Sequence, residues 1–375
     1  MRYLFESIIK DTREKMIILS GARQCGKTTL TRELAGKDGV YLSWDIRKDQ
    51  KIIRDIAWPK SASLVVLDEL HKYPKWKNFL KGIADEFKNK PPILVTSSAR
   101  LDSFRKQGDA LAGRFFHYRL HPIDLIEANS FLPKLSPSEH LDRLLETGGF
   151  PEAFLNPENS ERLRNNRFDL VLQEDLRDLS KSNSLRGMQL LIELLRERVG
   201  QLINFSNLAK DISVSSVTVK SWIELLERLY LVFIVMPYSK GFNRSIRKEF
   251  KVYFYDCASA YEPAQKLENV VASTILKTCN WRQDKTGVNW GLYFFRDREK
   301  REVNFIVTKG KSVVSAFEVN TSNDTLSPNL KYFEERVKNI EAIQLVKNID
   351  RPKEISGIKI MELTKGILDW AGVIH

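Results

Sequence analysis

Cysteine is scarce in this sequence. Cys25, Cys257 and Cys279 are the three in 375 residues, and none belongs to a CxxC pair. That argues against a disulfide framework and a structural zinc site, and it fits a reducing compartment. Long apolar runs are also missing. The longest, Leu229 to Pro237, falls short of the roughly 18 residues needed to cross a bilayer. Residues Met1 to Lys10 lack an apolar stretch followed by a small-residue cleavage site, so no secretory leader is expected. The expected location is therefore the cytoplasm, with no membrane partner. Low-complexity tracts and internal repeats are absent too.

What the chain has is a cationic excess and ample apolar material. The formal net charge is +12, the pI about 9.4, and 42% of residues are hydrophobic. The length favours two or three domains. The charge points toward a polyanion, though it also serves solubility.

The strongest local signal begins at Met16. Met16–Ser20 is a short apolar run that reads as a buried strand. It leads into Gly21-Ala22-Arg23-Gln24-Cys25-Gly26-Lys27-Thr28, followed by Thr29-Leu30-Thr31-Arg32-Glu33-Leu34 at helical spacing. This is G-x-x-x-x-G-K-T between strand and helix, the Walker A context. The glycines let backbone N–H groups turn in around phosphate, and the helix N-terminus adds a positive dipole end. Lys27 supplies a cation to the β/γ oxygens, and the Thr28 hydroxyl suits magnesium. Cys25 reads as a spacer, with a redox switch as the alternative.

Two further strands carry polar ends. Ser63–Leu67 runs into Asp68-Glu69, a Walker B pattern: Asp68 suits the magnesium shell and Glu69 an attacking water. Ile93–Thr96 ends in Ser97-Ser98. Such a strand is expected beside the first, where Ser97 or Ser98 could sense phosphate. Leu111-Ala112-Gly113-Arg114 follows. Arg114 reads either as a phosphate finger, its own or a neighbour's, or as a structural ion pair.

In this order and spacing, these motifs resemble AAA-type ATPases of the STAND-related archaeal and bacterial group. Gly148-Gly149-Phe150-Pro151-Glu152, Asp175-Leu176-Arg177-Asp178-Leu179 and Leu267-Glu268-Asn269 resemble a subfamily with a C-terminal domain of uncharacterised function. The resemblance implies ATP/ADP and Mg2+ as cofactors, and either a ring or a monomer awaiting its trigger. It also implies a lid over the helical stretch after Pro122.

The expected fold class is α/β, in four parts. Residues 1–121 form a P-loop parallel-sheet ATPase domain, and 122–185 a helical lid. Residues 186–256 read as a winged helix-turn-helix: helices over Met188–Leu195, Phe205–Ile212 and Ser216–Leu229, then strands over Val232–Pro237 and Val252–Tyr255. The second of these helices is expected to be capped by Ser206 or Asn207. Lys181 to Lys251 carries 12 Lys/Arg against 6 Asp/Glu. The third helix offers only Lys220 and Arg228 among cations, and a cluster lies instead at Lys240, Arg244, Arg247, Lys248 and Lys251. Backbone contact with DNA is therefore expected at the wing, with a packing or protein-contact role as the alternative.

Residues 257–375 read as α/β, and the resemblance implies a restriction-endonuclease-like fold. Its helix acid maps to Glu268 and its third-strand acid to Glu318. Asn304 stands where an Asp is expected and Asn320 where a Lys is expected. Glu302 is a further acid nearby. With two charges missing, an inactive domain is expected. The leading functional reading is an ATP-driven switch acting on DNA or an unknown protein partner. An ATP-gated DNA-processing nuclease and a non-hydrolysing scaffold are the alternatives.

Overall fold

The computed structural model describes residues 2–87, 89–98, 111, 113–172, 182–238 and 249–372. Two compact units emerge: Met1–Pro122 with Arg228–Tyr230, and Ile123–Glu227 with Leu231–His375.

The first unit begins with α1 (Leu4–Thr12) and β1 (Met16–Gly21), then α2 (Lys27–Ala35), β2 (Val40–Ser43) and α3 (Arg47–Arg54). It continues through β3 (Val65–Asp68), α4 (Trp76–Phe87), β4 (Ile93–Ser97) and β5 (Phe115–Leu120). The sheet order is β2-β3-β4-β1-β5 and every pairing is parallel. All residues of β1, β3 and β4 are buried, as expected when helices cover both faces of a parallel sheet. The strand ending in Ser97 lies beside β1, in register from Ile17↔Leu94 to Ser20↔Ser97. The carboxyl ends of β1, β3 and β4 therefore meet on one edge, where ligands bind in open α/β sheets.

The second unit opens with four helices: α5 (Leu125–Phe131), α6 (Pro137–Thr147), α7 (Pro151–Leu155) and α8 (Ser160–Leu170). The expected helical character after Pro122 is present. α6 starts with a capping box, Ser136 with Glu139, and Pro137 at its first turn. Next come α9 (Ser182–Glu197), β6 (Leu202–Ile203), α10 (Phe205–Ile212), α11 (Ser216–Arg228), β7 (Val232–Pro237) and β8 (Phe250–Phe254). The cap of α10 is neither Ser206 nor Asn207. Asn204 takes the extended backbone of a cap, and its side chain accepts the Asn207 N–H. Ser206 and Asn207 are already in the first turn, where a side chain cannot cap its own helix.

The remainder comprises α12 (Pro263–Thr286), β9 (Trp290–Arg296), β10 (Glu302–Lys309), β11 (Ser312–Asn320) and α13 (Pro328–Glu334). β12 (Glu341–Val346), β13 (Lys353–Ile355), β14 (Ile358–Glu362) and α14 (Leu363–Ala371) complete it. Its strands join those of the preceding segment in one nine-stranded sheet, β13-β14-β12-β11-β10-β9-β7-β8-β6. The join is a parallel pairing, Met236↔Tyr293 and Pro237↔Phe294. The sheet is thus continuous across the boundary expected at residue 256.

Candidate nucleotide-binding site

The P-loop leaves the end of β1. Gly21 must be glycine: a Cβ there would lie 2.3 Å from the Leu120 carbonyl oxygen of β5. Gln24 and Gly26 have φ of 60° and 96°, which turns the backbone inward before α2. The second value suits glycine. Cys25 is buried and its thiol faces the Leu120 carbonyl, consistent with a spacer. A residue missed in the sequence anchors the loop from outside. The buried Arg2 guanidinium donates to the Cys25 carbonyl at 2.6 Å and to that of His121 at 3.2 Å.

Lys27 opens α2, buried, with Nζ donating to the carbonyls of Gly21 (3.0 Å) and Ala22 (2.8 Å). Its cation is thereby held over the loop mouth. Thr28 and Thr29 are exposed in the first turn of the helix.

The acids sit on the neighbouring strand. Thr96 Oγ1, on β4, donates to Asp68 Oδ1 and accepts the Glu69 N–H at 3.0 Å. Glu69 adopts φ 51°, which swings its side chain toward β4. There Ser98 Oγ donates to Glu69 Oε2 at 2.9 Å, and His71 Nδ1 lies 3.6 Å from the same oxygen. Burial lowers the His71 pKa, opposed by the Glu69 charge. Tyr41 on β2 was also missed. Burial, followed by the neighbouring Asp68, raises its pKa, and Thr28 opposes the rise. The available signals were weak: Tyr41 and Thr96 are ordinary strand residues in sequence, and only the parallel register brings them to the acids. Ser97 is buried.

Of the two readings of Arg114, the ion pair is seen: its Nε donates to Asp85 Oδ1 of α4 at 2.9 Å. Ala112, Asp175 to Leu179, Lys240, Arg244, Arg247 and Lys248 lie outside the described residues.

The nuclease-like positions gather around a cation that the motif comparison did not include. Lys251 of β8 is 2% exposed, with Nζ 2.7 Å from Glu302 and 3.4 Å from Glu268. Tyr253 donates to Glu268 at 2.6 Å, and Arg296 to Glu302 at 2.7 Å. Asn304 uses its carbonyl to accept the Val319 N–H at 3.0 Å, a structural bond between strands. Asn320 closes β11 and brings no charge. Among the described residues no group of three His, Cys, Asp or Glu could hold a metal ion. Glu268 and Glu302 are engaged by Lys251, Tyr253 and Arg296.

Glu318 Oε2 is buried without a hydrogen-bond partner, and burial pushes its pKa from 4.5 up to about 7. Its favourable contribution is complete below pH 4.5 and is lost as pH rises through about 7. Glu318→Gln should therefore stabilise the protein at pH 8 by about 2 kcal/mol and do little at pH 4.5. Urea unfolding at both values checks this. A variant no more stable than wild type at pH 8 would contradict it.

An AAA domain family matches residues 13–129. Two domains of unknown function, DUF8612 and DUF4143, match residues 138–263 and 265–365. An uncharacterized protein of Mycobacterium tuberculosis is 26% identical over 250 residues, 65% of this chain and 55% of the relative. The chain thus spans about half the length of that relative and of its Mycobacterium bovis counterpart. An uncharacterized protein of Haemophilus influenzae is 22% identical over 96% of this chain and 95% of its own length. Among solved structures, a Walker-type ATPase of Pyrococcus abyssi matches with TM-score 0.44 and 13% identity, covering 68% of this chain and 93% of that one. No helix among the described residues is long and apolar enough to cross a membrane. The AAA domain match, residues 13–129, covers the strands that carry the loop, its lysine and both acids.

Proposed function

We propose that this protein hydrolyses ATP with magnesium, and that its nucleotide state controls how the second unit binds a partner. One observation carries the first half. Asp68, Thr96, Glu69 and Ser98 form one hydrogen-bonded chain beside the P-loop. Thr28 and Asp68 both act on the Tyr41 hydroxyl, so two hard oxygen donors of the kind magnesium requires stand near one side chain. Bound magnesium would neutralise charge on the β and γ oxygens.

The chain's own groups do the rest. Loop N–H groups and the α2 dipole hold the phosphates, and Lys27 moves its cation from the loop carbonyls onto them. Glu69, aimed by Ser98 and by the Thr96 bond to its N–H, accepts a proton from water. The water oxygen forms a bond to γ-phosphorus, the β–γ bridging bond breaks, and its electrons leave with ADP. Arg114 could contribute a finger only by leaving Asp85.

The partner-binding half rests on α9 to β8. Three helices and an antiparallel β6-β8-β7 ribbon suit a winged helix-turn-helix, and the basic excess there suits DNA. Magnesium-dependent phosphate release from ATP should be measurable with purified protein. Lys27→Ala should weaken ATP binding at least tenfold and stop release. Retained binding and turnover in that variant would defeat the reading.

A further inference from the structure

The second unit holds an open cleft of about 950 Å³. One wall is the helix-turn-helix, with Ser206 of α10 and Ser216, Val217 and Lys220 of α11. The other wall belongs to the C-terminal α/β region, with Arg296 at the end of β9 and Arg298 in the turn beyond it. The parallel pairing of Pro237 with Phe294 brings the walls together. It leaves Arg296 two residues past the last pair, beside the start of α11.

We propose that this cleft is a double-stranded DNA interface shared by the two regions, with Lys220, Arg296 and Arg298 on phosphates and the first turn of α11 on base edges. This deepens the partner-binding half of the reading above and rests on it, without depending on ATP turnover.

Charge decides the occupant. Two carboxylates, Glu249 and Asp297, also line the cleft. Asp297 is occupied by Arg301 at 2.6 Å and by the amides of Glu299 and Arg301. Arg298 is exposed and pairs with no carboxylate among the described residues. Lys220 is 60% exposed and only 3.9 Å from Glu224, a weak pair. Arg296 is held by Glu302, which fixes its direction. The apolar floor is not available as a peptide groove: Phe294 is 1% exposed and Phe205 packs on Phe250 at 4.7 Å. What remains accessible is polar, with Lys220 and Arg298 as exposed cations against the one exposed carboxylate, Glu249, apart from Val217, 76% exposed. An exposed apolar residue in the first turn of a second helix is suited to a thymine methyl.

The test is fluorescence anisotropy with a labelled duplex of mixed sequence, without nucleotide, over a salt series. The proteins are wild type, the Lys220→Glu/Arg298→Glu double variant and the Lys220→Arg/Arg298→Lys control. Both positions are exposed, so thermal melting should be the same in all three. The reversal should weaken binding at least tenfold and reduce the slope of log affinity against log salt by about 2. The control should bind like wild type. The proposal is overturned if wild type shows no affinity at low salt, or if the reversal leaves affinity and slope unchanged. Tighter binding of the single strand or of an acidic peptide would overturn it equally. Failure of ATP turnover in wild type would defeat the ATPase reading and leave this one standing.

Discussion

Glu69→Gln should lower ATP turnover by about 10²- to 10⁴-fold while ATP binding stays within a few-fold of wild type. The substitution keeps the size of the side chain and an oxygen for Ser98 to donate to. It removes only the basicity needed to take a proton from water. Phosphate contacts come from elsewhere, from the loop, Lys27 and the start of α2, so affinity should survive. Phosphate release and binding of a labelled nucleotide, measured on the same preparation, separate the two effects. Turnover within threefold of wild type would show that Glu69 is not the base.

Lys277→Met should cost about 3–5 kcal/mol of stability. Lys277 projects from α12 with Nζ 2.6 Å from Glu127 and 3.4 Å from Asp124, all three side chains at most 3% exposed. Asp124 also caps α5 by accepting the Glu127 N–H. Burial pushes the Asp124 carboxyl above its ordinary value, and the lysine charge opposes that. Methionine preserves the length of the side chain but leaves two buried acids without their cation. Thermal unfolding should shift down by about 10 °C for a unit of this size. Adding Glu127→Gln should restore part of the loss, because one uncompensated charge is removed. A single variant that melts within a degree of wild type would refute this account.

The two sites differ in how much of them the sequence carried. At the P-loop, function resides in neighbours along the chain. Gly21 to Thr28 need only a strand before them and a helix after, and the apolar pattern supplied both. Asp68 and Glu69 were equally plain at a strand end. Their partners were not, because Tyr41, Thr96 and His71 contact them only through strand register and a positive φ. Arg114 had two readings, and the ion pair with Asp85 on α4 is the contact seen. The α10 cap was misplaced by two or three residues for a local reason, since a cap depends on where the backbone leaves the extended region.

The nuclease-like cluster shows the converse. The resemblance to a nuclease fold pointed to Glu268, Asn304, Glu318 and Asn320, with Glu302 as a further acid, and the two missing charges argued against metal chemistry. Lys251 was counted as one more wing cation. In Phe250–Phe254 it occupies an inward position of a wholly buried strand, and the acids facing it come from α12 and β10.

By itself the sequence located the P-loop, since a phosphate cradle is built from consecutive backbone N–H groups. It also located many of the helices and strands, which follow from apolar periodicity. Tertiary structure alone decided which acids face which cations, and that the last two regions share one sheet. Those outcomes depend on pairings between residues far apart in the chain, such as Pro237 with Phe294 or Lys277 with Glu127. Local spacing contains no information about them, because burial and strand register are properties of the packed whole.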